Sequence, residues 1–564
     1  MMPDEKKPIP WGLPPLAPAK PPPAAVAVAV PVASEDESDH VAPLIGVGSK
    51  EAAGDDPNGA GKRQRRRMVG VAVVLSVVAA VALCFTLPVH RESHHAHFVH
   101  HPGQASPGMP ELPRDTLDAV NRLLRASHNV SNTVAWDRLA EMTDLFGHRM
   151  TGSDAYEQSA RWVVNTANDQ DRGVVAYTEP VRVHQWARND ESLRLLIPSR
   201  PGGGVDLKML GLGNSAPTPP GGVEANVIPV HSFAELAQLG NATVAGNIVL
   251  FNFKFTSYSD TVAFRTRGAQ EAEKYGAHAV LVRTLAPDSS FHSVHTGNSR
   301  RAGIPAASIS LADANLIERM YVRAQLSPDH VAPRVKLAMS ASLSSETKES
   351  SNVIIDLKGS SSISDEIVLL SGHFDSWDVG VGAMDDGAGA FLAWEALRMI
   401  AASGRAPRRT IRVVMWNNEE TLQLGAKAYF AQHKDEIGKH RFAIESDIGV
   451  FEPWGLVAAA SRPEIDRLRH YGQTVVSRLG AGNVLETTSA PGEDIAILCA
   501  SGVPCAEELG TNPETGAAPN QRGWEDHYFR YHHSESDRVE VIDKDQLRRS
   551  AAALAAWAYL IADL

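Results

Sequence analysis

Apolar positions recur along this chain in several distinct textures. From Met68 to Leu87 twenty consecutive residues carry no charge. At about 1.5 Å per residue, a helix of that length spans roughly 30 Å, the thickness of a hydrocarbon core. From residue 112 onward the pattern becomes globular. Leu117, Val120 and Leu124 recur at helical spacing, as do Trp136, Leu139, Met142 and Leu145. Thr151-Gly152-Ser153-Asp154 marks a turn, with Ser153 or Asp154 capping a helix that runs through Ala160 and Val164. Between about 205 and 341 the pattern predicts a self-contained α/β unit. It has a strand over 248–251, a helix over 264–275 closed by Gly276, and a strand over 277–282. From Asn352 the same texture returns, with strands over 366–370, 410–416 and 442–444 and helices over 387–400 and 422–433. A last helix covers 543–564, where Asp543 and Gln546 have capping-box spacing. Leu547, Leu554, Trp557, Ile561 and Leu564 fall on one face of it. Alternating strands and helices predict an α/β fold, a mostly parallel sheet covered on both sides. Ligands of such sheets gather at the carboxyl ends of the strands.

Composition sharpens this picture at the N-terminus. The first 67 residues are rich in proline, as at Pro21-Pro22-Pro23, and read as an extended, solvated tail. Lys62, Arg63, Arg65, Arg66 and Arg67 flank the apolar run on its N-terminal side. By the positive-inside rule this predicts a type II single-pass membrane protein with a cytosolic tail, residues 1–67, and an anchor, residues 68–88. The rival reading is a cleaved signal peptide with a very long leading region. Residues 89–111 form a histidine-rich stem (His90, His94, His95, His97, His100 and His101). Asn129 and Asn241 stand in Asn-x-Ser/Thr glycosylation acceptors beyond the anchor, which suits a lumenal or extracellular face. The expected catalytic domain comprises 112–204 and 342–564, interrupted by the insert 205–341.

The whole chain has 564 residues with 54 Lys+Arg and 66 Asp+Glu, a formal charge of −12. That balance argues against a nucleic-acid partner. Of three cysteines, Cys84 lies in the apolar run, leaving Cys499 and Cys505 as the only pair, bonded or free. The candidate chemistry sits at predicted strand ends. His373 and Asp375 leave one strand two residues apart and so point the same way in extended chain, which suits a metal-ligating histidine oriented by a carboxylate. Asp385-Asp386 precedes a helix. Glu419-Glu420 and Glu445-Ser446-Asp447 end two further strands, and His532-His533-Ser534 comes late. Two histidines and three carboxylates from successive strand ends can hold two Zn²⁺ ions, with one carboxylate bridging. There is no Gly-x-Ser-x-Gly elbow, His-Glu-x-x-His or Walker loop to support a rival chemistry.

At these segments, together with Glu179-Pro180-Val181-Arg182 and Leu210-Gly211-Leu212-Gly213, the chain resembles the co-catalytic zinc exopeptidases. That family includes bacterial leucyl aminopeptidase and the glutamate carboxypeptidases. The resemblance runs from about residue 112 to the C-terminus. It implies a zinc exopeptidase fold with an inserted protease-associated domain, two Zn²⁺, a dipeptide or short-peptide substrate, and room for a homodimer. His373 and Asp447 would bind one zinc, Glu420 and His533 the other, and Asp385 would bridge. Glu419 would be the general base acting on a water between the ions, and Asp375 would orient His373. It also implies a cis Asp385–Asp386 peptide, an oxyanion-stabilising role for His532 and a pocket-lining role for Asp494. Two other classes use the same fold: a non-catalytic receptor, which loses metal ligands, and a single-zinc acyltransferase of glutaminyl-cyclase type.

Overall fold

The computed structural model describes residues 111–564. The expected tail, anchor and histidine-rich stem therefore lie outside the described residues, save Glu111. Among the described residues no helix is long and apolar enough to cross a membrane.

An eight-stranded mixed sheet carries the chemistry. In spatial order its strands are Val174–Val183, Lys348–Leu357, Thr410–Trp416, Ile367–His373, His440–Glu445, Cys505–Thr511, Glu452–Ala459 and Asn483–Glu486. The four in the middle, from Thr410–Trp416 to Cys505–Thr511, are mutually parallel. Their carboxyl ends therefore lie on one side. Every residue of Ile367–His373 and of Thr410–Trp416 is buried, as expected for strands covered on both faces. Alternate residues serve alternate layers. Val368, Leu370 and Val413 join the core beneath the helices Ala388–Ala402 and Lys544–Asp563, while Leu369, Val414 and Ala443 face Ala426 and Tyr429 on the other side.

Two helices depart from expectation. The last one, Lys544–Asp563, starts with Asp543 accepting from the N–H of Asp545 and of Gln546, each at 2.8 Å. It does not present a single apolar face, because every residue from Ser550 to Leu560 is buried. Its alanines, at 551, 552, 553, 555, 556, 558 and 562, let neighbouring elements approach from several sides. The helix expected over 422–433 is split into Glu419–Leu422 and Leu424–Gln432, because Gln423 adopts φ +53° between them.

A second eight-stranded sheet forms the inserted unit. Its order is Gly204–Leu207, Glu191–Leu196, Arg334–Met339, Val223–Val230, Ile248–Phe251, Ala279–Arg283, Ala306–Ile309 and Met209–Gly211. The sheet takes in Glu191–Leu196, which precedes the expected start at residue 205. It has apolar clusters on both faces, around Leu250 and Leu281 on one and Val249 and Val280 on the other. Its crossover helix Tyr258–Glu273 ends three residues before Gly276, whose φ of +77° reverses the chain. Where the chain enters and leaves the unit, Trp186–Ala187 pairs antiparallel with Ser342–Leu343. Arg188 clamps this neck to the loop that follows strand Ile367–His373 through a bidentate pair with Asp378, at 2.6 and 2.9 Å. Cys499 and Cys505 are joined by a disulfide with Cα atoms 5.7 Å apart. Asn129 and Asn241 are both exposed.

Candidate metal centre

The site forms where parallel strands run out. Strand Ile367–His373 delivers His373 at its last position, paired in register with Trp416 on the neighbouring strand. After Trp416 the chain turns through Asn418, whose φ is +70°. That turn lets adjacent Glu419 and Glu420 reach one site, which a continuing strand would forbid. His440–Glu445 ends two residues before Asp447. Asp385 comes from the short turn Ala383–Gly387, in which the Asp385–Asp386 peptide is cis. His533, at φ +58°, comes from the loop after the turn Tyr528–Arg530.

Five side chains converge in two groups that share Asp385. His373 Nε2 lies 3.1 Å from Asp385 Oδ1 and 3.2 Å from Asp447 Oδ1. His533 Nε2 lies 2.8 Å from Glu420 Oε2 and 3.2 Å from Asp385 Oδ2. Asp385 therefore turns one oxygen to each group. Glu419 Oε2 stands 3.9 Å from His373 Nε2. His532 stacks on His533 with ring centroids 3.5 Å apart and places Nε2 3.6 Å from Asp385 Oδ2. Asp494 is buried, and neither of its carboxylate oxygens forms a hydrogen bond.

Asp375 plays a different part from the one expected. His373 Nδ1 faces the main-chain oxygen of Asp375 at 2.8 Å, not its carboxylate. The strand ends at His373, so the two side chains no longer share a face. The Asp375 carboxylate instead accepts from the N–H of Glu419 at 3.0 Å and steadies the turn that carries both glutamates. Three further residues, to which the sequence assigns no role of this kind, support the site. Asp386 accepts from the N–H of His373 and of Gly389, each at 3.0 Å. Asp537 accepts from the N–H of Met384 at 2.7 Å and of Asp385 at 3.2 Å. Arg149, fully buried, donates to the carbonyls of Phe374, Val381 and Gly382 at 2.6, 2.8 and 2.6 Å. No local pattern marks Arg149 or Asp537. The only signal was the paired acid at Asp385-Asp386.

The electrostatics call for a cation. Asp385 Oδ2, Glu420 Oε1 and Asp447 Oδ1 are buried and form no hydrogen bond. Concentrated buried carboxylates without counter-charge are costly. Burial pushes the carboxyls of Glu419 and Asp386 well above the usual range and raises those of Glu420 and Asp447. It pushes Asp375 up to about 7. Burial works the same way on Asp385, but the imidazoles of His532, His533 and His373 outweigh it and hold that carboxyl well below the usual range. Burial lowers His533, yet Glu420 and Asp385 raise it to about 9. A bound cation would offset the same burial cost. His373, Asp385 and Glu420, and separately His373, Asp386 and Asp447, offer ligand atoms close enough to share an ion, as do Asp385, His532 and His533. Imidazole and carboxylate donors of this kind suit Zn²⁺.

This fold and this site define a class. Residues 352–558 match the model of peptidase family M28. Carboxypeptidase Q of Pongo abelii is 37% identical over 455 residues, covering 80% of this chain and 89% of the relative. The human carboxypeptidase Q is 36% identical over the same coverage. The chain belongs to the M28 peptidases, and within them it is similar to carboxypeptidase Q along most of that protein's length. A crystal structure of a peptidase M28 precursor from Shewanella amazonensis superposes with a TM-score of 0.70 at 28% identity, over 80% of this chain and 97% of that one. A zinc aminopeptidase from Bacillus subtilis shares the fold with a TM-score of 0.55 at 18% identity, over 76% and 97% of the two chains.

Proposed function

We propose that this chain is a di-zinc exopeptidase that hydrolyses dipeptides or short peptides, of the carboxypeptidase or dipeptidase type. The observation that carries the reading is Asp385, which turns one carboxylate oxygen toward His373 and the other toward His533. His373 and Asp447 would hold one ion, Glu420 and His533 the other, with Asp385 shared. Zinc at these positions would supply Lewis acidity, polarising the scissile carbonyl and easing loss of a proton from water.

The chain's own residues do the rest. Glu419, held by the Asp375 carboxylate through its N–H, takes the proton from the attacking water and returns it to the leaving amine. Its carboxylate stands 3.9 Å from His373 Nε2, beside the shared site, where it can take up a proton and return it. His532 lies within 3.6 Å of Asp385 and can direct a ring N–H toward the oxygen that gains charge as the carbonyl is attacked. The inserted sheet serves as an accessory domain of the protease-associated type. The apolar run 68–88 would anchor the enzyme, and the exposed acceptors Asn129 and Asn241 fit a lumenal or extracellular face. The test is a zinc count on the purified ectodomain paired with a dipeptide hydrolysis assay. About two ions per chain and chelator-sensitive turnover are expected. Loss of neither ion nor activity on chelation would overturn the reading.

A further inference from the structure

The two halves of the site are not equivalent on the side away from the shared carboxylate. An imidazole that gives its Nε2 lone pair to a metal carries its proton on Nδ1, and that proton needs an acceptor. His373 has one in the main-chain oxygen of Asp375, 2.8 Å away. His533 does not. The group facing its Nδ1 is Nη1 of Arg265, at 3.4 Å, and a guanidinium offers donors only.

This contact is built into the fold. Arg265 belongs to the helix Tyr258–Glu273 of the inserted unit and is 5% exposed. Its Nη2 donates to the Tyr258 hydroxyl at 2.6 Å and its Nε to the Asn298 carbonyl at 3.2 Å. Tyr258 is itself stacked on Phe529, with centroids 4.5 Å apart, and packs edge-on to His532. No carboxylate forms an ion pair with Arg265 among the described residues. Gly297 makes the approach feasible: a Cβ there would lie 2.7 Å from His533 Nδ1 and closer still to the guanidinium. The inserted unit therefore holds a buried guanidinium against Nδ1 of one ligand, whereas Nδ1 of the other faces a main-chain oxygen.

We propose that Arg265 is a positioning residue that makes the two ion positions unequal, weakening the one at His533 and Glu420 so that its ion exchanges while the ion at His373 and Asp447 is retained. Two effects act together. The Nδ1 proton of a metal-bound His533 meets a donor in place of an acceptor, which lowers the basicity of the ring. The fixed guanidinium charge also repels a cation through a buried, poorly screened path. Removing or creating such a supporting contact changes metal affinity by about 10- to 100-fold in typical sites.

This inference rests on the two-ion reading, and one experiment separates the two. The zinc-saturated enzyme is equilibrated against zinc buffers of falling free concentration, and zinc per chain is counted at each step. Two steps are expected, with one ion leaving at a free concentration at least about tenfold higher than the other. His533→Gln should lose the weak step and keep the tight one. Arg265→Gln should draw the steps together by tightening the weak one, and Arg265→Lys, which retains the charge, should restore the separation. Two ions leaving together from the wild-type enzyme would overturn the inference and leave the two-ion reading standing. So would an unchanged gap in Arg265→Gln. Fewer than two ions at saturation would overturn both. The wild-type measurement alone can overturn the inference, Arg265→Gln assigns the inequality to Arg265, and melting of the metal-free proteins checks that this variant is folded.

Discussion

The carboxylate of Asp537 holds the backbone of Asp385: it accepts from the Asp385 N–H at 3.2 Å and from the preceding N–H of Met384 at 2.7 Å. Asp537 lies four residues beyond His533, so one loop supplies both a candidate ligand and the support for the shared carboxylate. Burial pushes the Asp537 carboxyl up to about 7. Asp537→Ala should leave two buried N–H groups unpaired and let Asp385 drift. Zinc affinity or kcat should fall by about 10- to 100-fold, the usual cost of losing a supporting contact. Zinc titration and turnover measure it, and a variant with wild-type values in both would remove Asp537 from the site's support.

Glu419 and Glu420 should separate cleanly. Glu420→Gln removes a candidate ligand and should lower zinc content. Glu419→Gln keeps the shape but cannot accept a proton. It should retain both ions and lose on the order of 10²-fold or more in kcat, with peptide binding preserved. Zinc content and turnover of both variants are the measurement. The reverse pattern would exchange the two roles, and near wild-type turnover in Glu419→Gln would sink the mechanism.

Arg149 offers a stability test away from the ligands. Its guanidinium satisfies three carbonyls in the loop between His373 and Asp385, those of Phe374 and Gly382 buried and that of Val381 partly so. Arg149→Met would leave those carbonyls unpaired, at about 1–3 kcal/mol each if water does not enter. A loss on the order of 3 kcal/mol or more is expected in denaturant unfolding of the metal-free protein. A change below about 1 kcal/mol would mean that the loop finds other partners.

What could be read from the chain alone follows from how local each signal is. The strand over 410–416 was legible because seven consecutive residues are buried on both faces. The ligand residues were legible because parallel strands deliver them at their ends, one after another. Glu191–Leu196 was missed as the first strand of the insert. It is short and half-exposed, and the Pro- and Gly-rich stretch from Pro198 to Gly204 draws the eye to a later boundary. The period of an extended strand points Asp375 toward His373, but the strand stops at His373. Arg149, Arg265 and Asp537 act across separations of 152 to 268 residues, where no spacing rule reaches.

The far edge of the catalytic sheet should make stability depend on pH. His433, at the end of helix Leu424–Gln432, points Nε2 at the Glu179 carboxylate, 2.9 and 3.0 Å from its two oxygens, and Nδ1 at Glu436, 3.1 Å away. Both ring nitrogens thus face acceptors, which favours the imidazolium. Burial lowers the pKa of His433, but the bonds to Glu179 and Glu436 outweigh it and raise it above 6.5. A raised folded-state pKa means stability that is fully present below the unfolded value and is lost as pH rises through the folded one. Glu436 is held low, chiefly by its bond to His433, and its share is lost only as pH falls through that lowered value, below about 4.5. The link from helix to edge strand should therefore be strongest near pH 5 to 6. His433→Gln should cost up to about 1 kcal/mol there, as expected of a partly exposed ion pair, and much less at pH 8.5. Unfolding of both proteins at the two pH values measures the difference. An equal cost at both would mean that His433 is neutral and contributes by packing against Tyr429, whose ring centroid is 4.1 Å away.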